Sequence, residues 1–159
     1  MKGSRSMKTR ACIALLAGIL TISGCGRIEY PALPDDAIAF ELGTFEDTES
    51  DDALFGMIEY NGRSYIGYGT INNAFNTKYI DGCVGYVIQD ENSSSVADPD
   101  YKNVRIYTLK DDTDNNFLME FDDSVELMNQ PFFYRAIDTK GKEIKVPDYI
   151  DELGYEFWN

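Results

Sequence analysis

The chain has 159 residues, 43% of them hydrophobic and 13% aromatic, with a formal net charge of −14 and no histidine. That length suits one domain of ordinary size. Without histidine the chain cannot build Ser-His or Cys-His nucleophile pairs or most catalytic zinc sites; its acidity repels nucleic acid and anionic headgroups and favours cationic proteins or metal ions.

Residues 1–10 are basic, and residues 11–22, ACIALLAGILTI, form an uncharged apolar run. Twelve residues fall well short of the roughly 20 that a bilayer-spanning helix needs, and suit the hydrophobic stretch of a secretory signal. The run closes on Ile22-Ser23-Gly24-Cys25. Basic start, apolar run, small residues and cysteine in that order resemble the lipobox of bacterial lipoproteins. The resemblance covers only the first 25 residues. It implies that residues 1–24 are a cleaved signal peptide, that Cys25 carries the lipid, and that the mature protein is anchored extracytoplasmically to a bacterial cell membrane. Met7 serves as a start as well as Met1, since MKTR is a sufficient basic leader.

All charged side chains before Cys25 are basic (Lys2, Arg5, Lys8, Arg10), so the remainder holds the whole acidic excess and carries a net charge of about −18. With Cys12 in the signal and Cys25 acylated, Cys83 is left alone and the mature domain forms no internal disulfide. Cys83 reads as a small apolar residue rather than a nucleophile.

Residues 25–36, with Pro31 and Pro34, read as a tether, and residues 37–159 as a single β-rich domain. AIAFELGTF (37–45) is strand-like and precedes an acidic loop, EDTESDD. LFGMIEY and RSYIGYG flank Asn61-Gly62, a pair suited to the positive φ angles of a type I′ turn, which predicts a β-hairpin. Residues 71–80 are a short helix or a loop, and CVGYVIQ (83–89) is a strand. VRIYTLK (104–110) and NFLMEF (116–121) form a second hairpin around DDTDN. PFFYRAID (131–138) and KEIKV (142–146) suggest a third, bent at TKG. Pro147 fits the first position of a final helix, followed by a terminal aromatic segment. Glycines 56, 67, 69 and 85 lie inside strand-like runs, as bulges or bends do. The fold class is therefore mainly β, a small antiparallel curled sheet or barrel with one or two short helices. The alternative is an α+β domain with 71–80 or 147–155 helical against one face.

Several groups invite a chemical reading. Asp112, Asp114, Asn116 and Asp123 have the spacing of a calcium loop, although Phe117 stands where an EF-hand needs its turn-forming glycine, so the residues suit only a looser Ca²⁺ site or an acidic turn. Glu59, Glu120 and Asp138 sit in or beside strands and could form an acid/base pair. Lys140, Lys142 and Lys145 suit a salt-bridging face. Among the aromatics, Tyr65, Tyr68, Tyr134 and Trp158 are candidates for an exposed binding patch, with core packing as the plainer reading. No catalytic motif or cofactor cradle is present. The sequence thus points to a lipid-anchored, non-catalytic domain that binds a cationic protein, as an inhibitor or immunity protein does. The alternatives are a module for glycan, metal or small ligand, and a carboxylate-dependent hydrolase.

Overall fold

The computed structural model describes residues 30–47, 54–88, 102–122 and 130–159. Cys25 and the whole signal, as well as Asp123, lie outside these residues. The fold is mainly β, as expected. Strands β1 (Ile38–Phe40), β2 (Gly43–Glu46), β3 (Leu54–Tyr60), β4 (Arg63–Ile71), β5 (Ile80–Val87), β6 (Val104–Leu109), β7 (Phe117–Asp122), β8 (Phe132–Ala136) and β9 (Ile150–Glu152) form one sheet. Its order is β1-β5-β6-β7-β8-β4-β3-β2, with β9 paired to β4 off this path. Among the described residues only the β1–β5 pair is parallel.

Two local signals act as anticipated. Asn61 and Gly62 take φ angles of 51° and 73°, and the turn sets Tyr60 opposite Arg63 between β3 and β4. Strands β6 and β7 pair directly across the acidic link, Val104 opposite Asp122. The third expected hairpin does not form. Strand β8 has β7 on one side and β4 on the other, so 142–146 finds no free edge to pair with. After a turn of 3-10 helix at Ile137–Thr139, that segment instead crosses the outside of the sheet. The helical alternative fails at both places. Strand β4 runs on through Ile71, leaving a single 3-10 turn at Thr77–Tyr79, capped where Asn76 accepts from the Lys78 amide at 2.9 Å. The Pro147 carbonyl accepts from the Ile150 amide at 3.0 Å, making a turn into β9 rather than a helix start. The chain then ends in a 3-10 turn, Glu156–Trp158.

The outermost strands of the path, β1 and β2, are neighbours in the chain, separated only by Glu41 and Leu42. At about 3.5 Å per residue, the sheet's two edges must come within roughly 10 Å. One bent segment, 38–46, therefore pairs with β5 through its first half and with β3 through its second, and the sheet curls into a half-barrel. Register shifts at Gly67/Gly69, Ile80/Gly82 and Cys83/Gly85 put bulges in β4 and β5, where extra twist helps the curl.

Both faces of the sheet are covered. The inner cluster joins Phe40, Ile58, Tyr65, Val87, Ile106, Leu118 and Tyr134, one from each of seven strands, a meeting that only the concave face permits. The outer cluster holds Tyr68, Tyr107, Phe117, Met119 and Phe133 beneath Phe75, Tyr79, Ile144 and Val146 of the crossing segments. Cys83 is half-buried at its margin. Each fully buried side chain of this size contributes roughly 1.5–3 kcal/mol.

The antiparallel order also defines two ends. Residues 47–53, 88–103 and 123–131 join strands at what we term the open end. The 61–62 and 110–116 links lie at the turn end.

The β1–β5 pairing depends on Gly85, where a Cβ would fall 2.0 Å from the Ile38 carbonyl oxygen and 2.7 Å from the Phe40 ring. Gly85→Ala should cost about 1–3 kcal/mol by forcing β1 outward. Gly82→Ala, with nothing within 4 Å, is the control. In thermal melts the first variant should unfold several degrees below the second.

Candidate binding site at the open end

Leu54 and Phe132 are the first residues of β3 and β8, and both stand at the open end. Together with Leu42, Phe55, Gly56, Gly67, Tyr134 and Tyr155 they line a cavity of about 460 Å³. Gly56 of β3 and Gly67 of β4 both border it. Neither glycine has a side chain to fill this part of the curl. Phe132 leans into the gap, its Cζ 2.9 Å from where a Gly67 Cβ would stand, and meets Tyr134 edge-on at 5.1 Å. Leu42 and Leu54 are 56% and 71% exposed at the rim. Large apolar side chains held in water beside an open hollow make this the candidate binding surface.

One carboxylate is hydrogen-bonded to this lining through Tyr134. Glu120 lies opposite Phe132, and the Tyr134 hydroxyl donates to its Oε2 at 2.6 Å. Burial pushes the Glu120 carboxyl above its ordinary range, the Tyr134 hydrogen bond opposing it and the charge of Asp122 adding to it. Tyr134 is itself pushed up, by burial first and by Glu120 second. The hollow thus offers an apolar lining, with one partly desolvated carboxylate held on the Tyr134 hydroxyl, a combination that suits an apolar group carrying a basic neighbour.

The predicted patch is not a surface. Tyr65, Tyr68 and Tyr134 are 0%, 1% and 5% exposed, because loops cover the outer face as well as the curl covering the inner one. Tyr65 faces inward, and its hydroxyl donates to the Asn115 carbonyl at 2.7 Å. Tyr68 lies in the outer layer, where its hydroxyl donates to Glu152. Trp158 is half-buried, donating from Nε1 to the Gly67 carbonyl at 3.0 Å. The buried Arg135 guanidinium lies 5.1 Å from the Tyr68 ring and 4.6 Å from the Trp158 ring. Its Nε and Nη2 donate to the Thr139 hydroxyl and carbonyl. Of the expected patch only Tyr134 lines the cavity.

The acidic turn holds a guanidinium where a calcium ion was considered. Arg63 Nη1 donates to the carbonyls of Asp114 and Asn115 at 2.8 and 3.0 Å, and Nη2 to Asn116 Oδ1 at 3.2 Å. Asp112 turns inward, its Oδ2 accepting from the Phe117 amide at 2.6 Å, with burial raising its pKa more than the amide bonds lower it. Among the described residues no group of three or more acidic or cysteine side chains converges on a metal position.

Nor do the three carboxylates considered for acid/base work share partners. Glu59 is exposed opposite Ser64, Glu120 is bound by Tyr134, and Asp138 pairs with Arg63 at 2.7 Å, which holds its carboxyl below the ordinary range. Lys140 stands 4.0 Å above the Phe157 ring. Comparisons with protein families, with curated proteins and with solved structures find no match for this chain.

Because the folded Glu120 binds its proton more tightly than the unfolded carboxyl, its ionisation penalises the native state at neutral pH. The penalty disappears as pH falls through the folded pKa. Glu120→Gln, which still accepts from Tyr134, should therefore melt above wild type at pH 7. The gap should close below about pH 4, where both proteins carry a neutral group; paired melts across that range read it.

Arg63 links β4 to the 110–116 turn and to Asp138. Arg63→Met should cost roughly 1.5–3 kcal/mol in a denaturant titration, the usual range for hydrogen bonds to a charged group. With the guanidinium in place, neither Ca²⁺ nor EDTA should move the wild-type midpoint.

Proposed function

We propose that this chain is a lipid-anchored protein of the bacterial cell envelope whose acidic β domain binds a cationic protein partner without catalysing a reaction. An inhibitor or immunity protein is its concrete form. The observation that carries this reading is the open-end cavity, with two exposed leucines on its rim and the Glu120 carboxylate held on the hydroxyl of its lining residue Tyr134. The acidic excess after Cys25 supplies attraction over distance, and the hollow supplies the short-range fit that turns attraction into specificity. The lipobox-like Ile22-Ser23-Gly24-Cys25 supplies the membrane address.

The cavity volume also falls in the range of small-ligand sites, roughly 300–1,000 Å³. That supports a second reading, a small apolar or amine-bearing molecule in place of a protein side chain.

The test uses the tagged full chain, extracted in detergent after processing in its own cells, and a Leu42→Glu/Leu54→Glu variant whose changes lie in solvent. At physiological salt the wild type should retain one basic protein that the variant releases. Retention by both that vanishes as salt rises would reduce the interaction to diffuse charge attraction. A small molecule seen by native mass spectrometry on wild type alone would select the second reading.

A further inference from the structure

Tyr30 is where the tether meets the domain, and it is pinned there. Its ring stacks on Phe121 at 4.5 Å and 17°, and lies 5.8 Å from Tyr107. Phe121 is the penultimate residue of β7, hence at the open end. Only residues 26–29 lie between Cys25 and Tyr30, so the two Cα atoms are at most about 18 Å apart. The turn end is farther away, since six residue steps along β3, from Leu54 to Tyr60, add about 20 Å.

Basic protein segments collect at an anionic membrane surface, and the cavity, whose lining residue Tyr134 holds Glu120, is bordered by Leu54 and Phe132 of the open end.

We infer that the Tyr30 strap holds the open end of the half-barrel toward the bilayer, so that the cavity meets a basic, apolar-tipped segment of its partner at the membrane surface. This rests on the lipid anchor at Cys25, and the experiment separates the two.

The full lipidated chain, in a Cys83→Ser background, is labelled with a donor dye at Leu54→Cys or at Thr113→Cys, positions exposed at the open end and at the turn end. It is reconstituted in phosphatidylcholine vesicles bearing a trace of acceptor-labelled lipid. Given a separation of about 20 Å along the sheet, transfer from position 54 should exceed that from position 113 roughly twofold. Tyr30→Ala should bring the two closer while leaving the chain folded by circular dichroism. Cys25→Ser should stay soluble. Equal or reversed transfer in a membrane-bound chain overturns the orientation and leaves the anchor standing. A wild-type chain recovered in the soluble fraction overturns the anchor and the orientation with it. Quenching of the Leu54 dye by nitroxides deep in the acyl chains would place the rim in hydrocarbon and overturn the basic-partner form of the inference.

Discussion

The shape of this domain depends on one bent segment being shared between two edges. Residues 38–40 complete the ladder of β5, and residues 43–46 complete that of β3, with two residues to turn from one to the other. An open sheet of this width would expose two unpaired edges, each a template for unwanted pairing. Here a single stretch of chain occupies both, and its covalent continuity holds the edges together where hydrogen bonds do not. The concave face this creates lets Phe40 of β1 come within 6.3 Å of the Tyr60 ring of β3, although β5, β6, β7, β8 and β4 separate those strands in the sheet. Gly85 is the concession the backbone makes to allow it.

Much of the rest follows from that curl. Bending a sheet narrows its inner face, and the inner positions near the open end meet the narrowing with Gly56 and Gly67 rather than with bulk. The hollow borders these two glycines, and Phe132 supplies only part of the missing volume. The outer face, stretched by the same bend, is too broad and too apolar to leave wet. The crossing segments 72–79 and 140–149 cover it, with Phe75, Tyr79 and Tyr149 stacked together.

Local signals were legible and long-range ones were not. Asn61-Gly62 announces its turn because few residue pairs accept two positive φ angles in succession. The β6–β7 hairpin is equally readable, its strands being separated only by a run of turn formers. The segment 142–146 has the same look as a strand, yet whether it pairs is decided by distant neighbours already lying on both sides of β8. The aromatic residues misled for a related reason. Alternation along β4 assigns Tyr65 and Tyr68 to opposite faces, and that places one of them in solvent only if one face is wet. In this sheet neither is. The cavity escaped notice because Leu42, Leu54, Gly67 and Phe132 come from separated parts of the chain and carry no chemistry of their own. Glu120 was noted as a carboxylate in a strand. Its pairing with Tyr134 depends on cross-strand register, which residue types alone do not fix.

The last residues of the chain are structural rather than ornamental. Phe157 is buried against Phe45 and Phe55 of the strands β2 and β3, and Trp158 covers Arg135 and reaches the backbone of β4. Without these residues Arg135 lacks one of the rings that cover it and the outer layer of β3 and β4 lacks its lid. Any copy clipped before these residues is an unfinished domain with a half-covered cation at its heart.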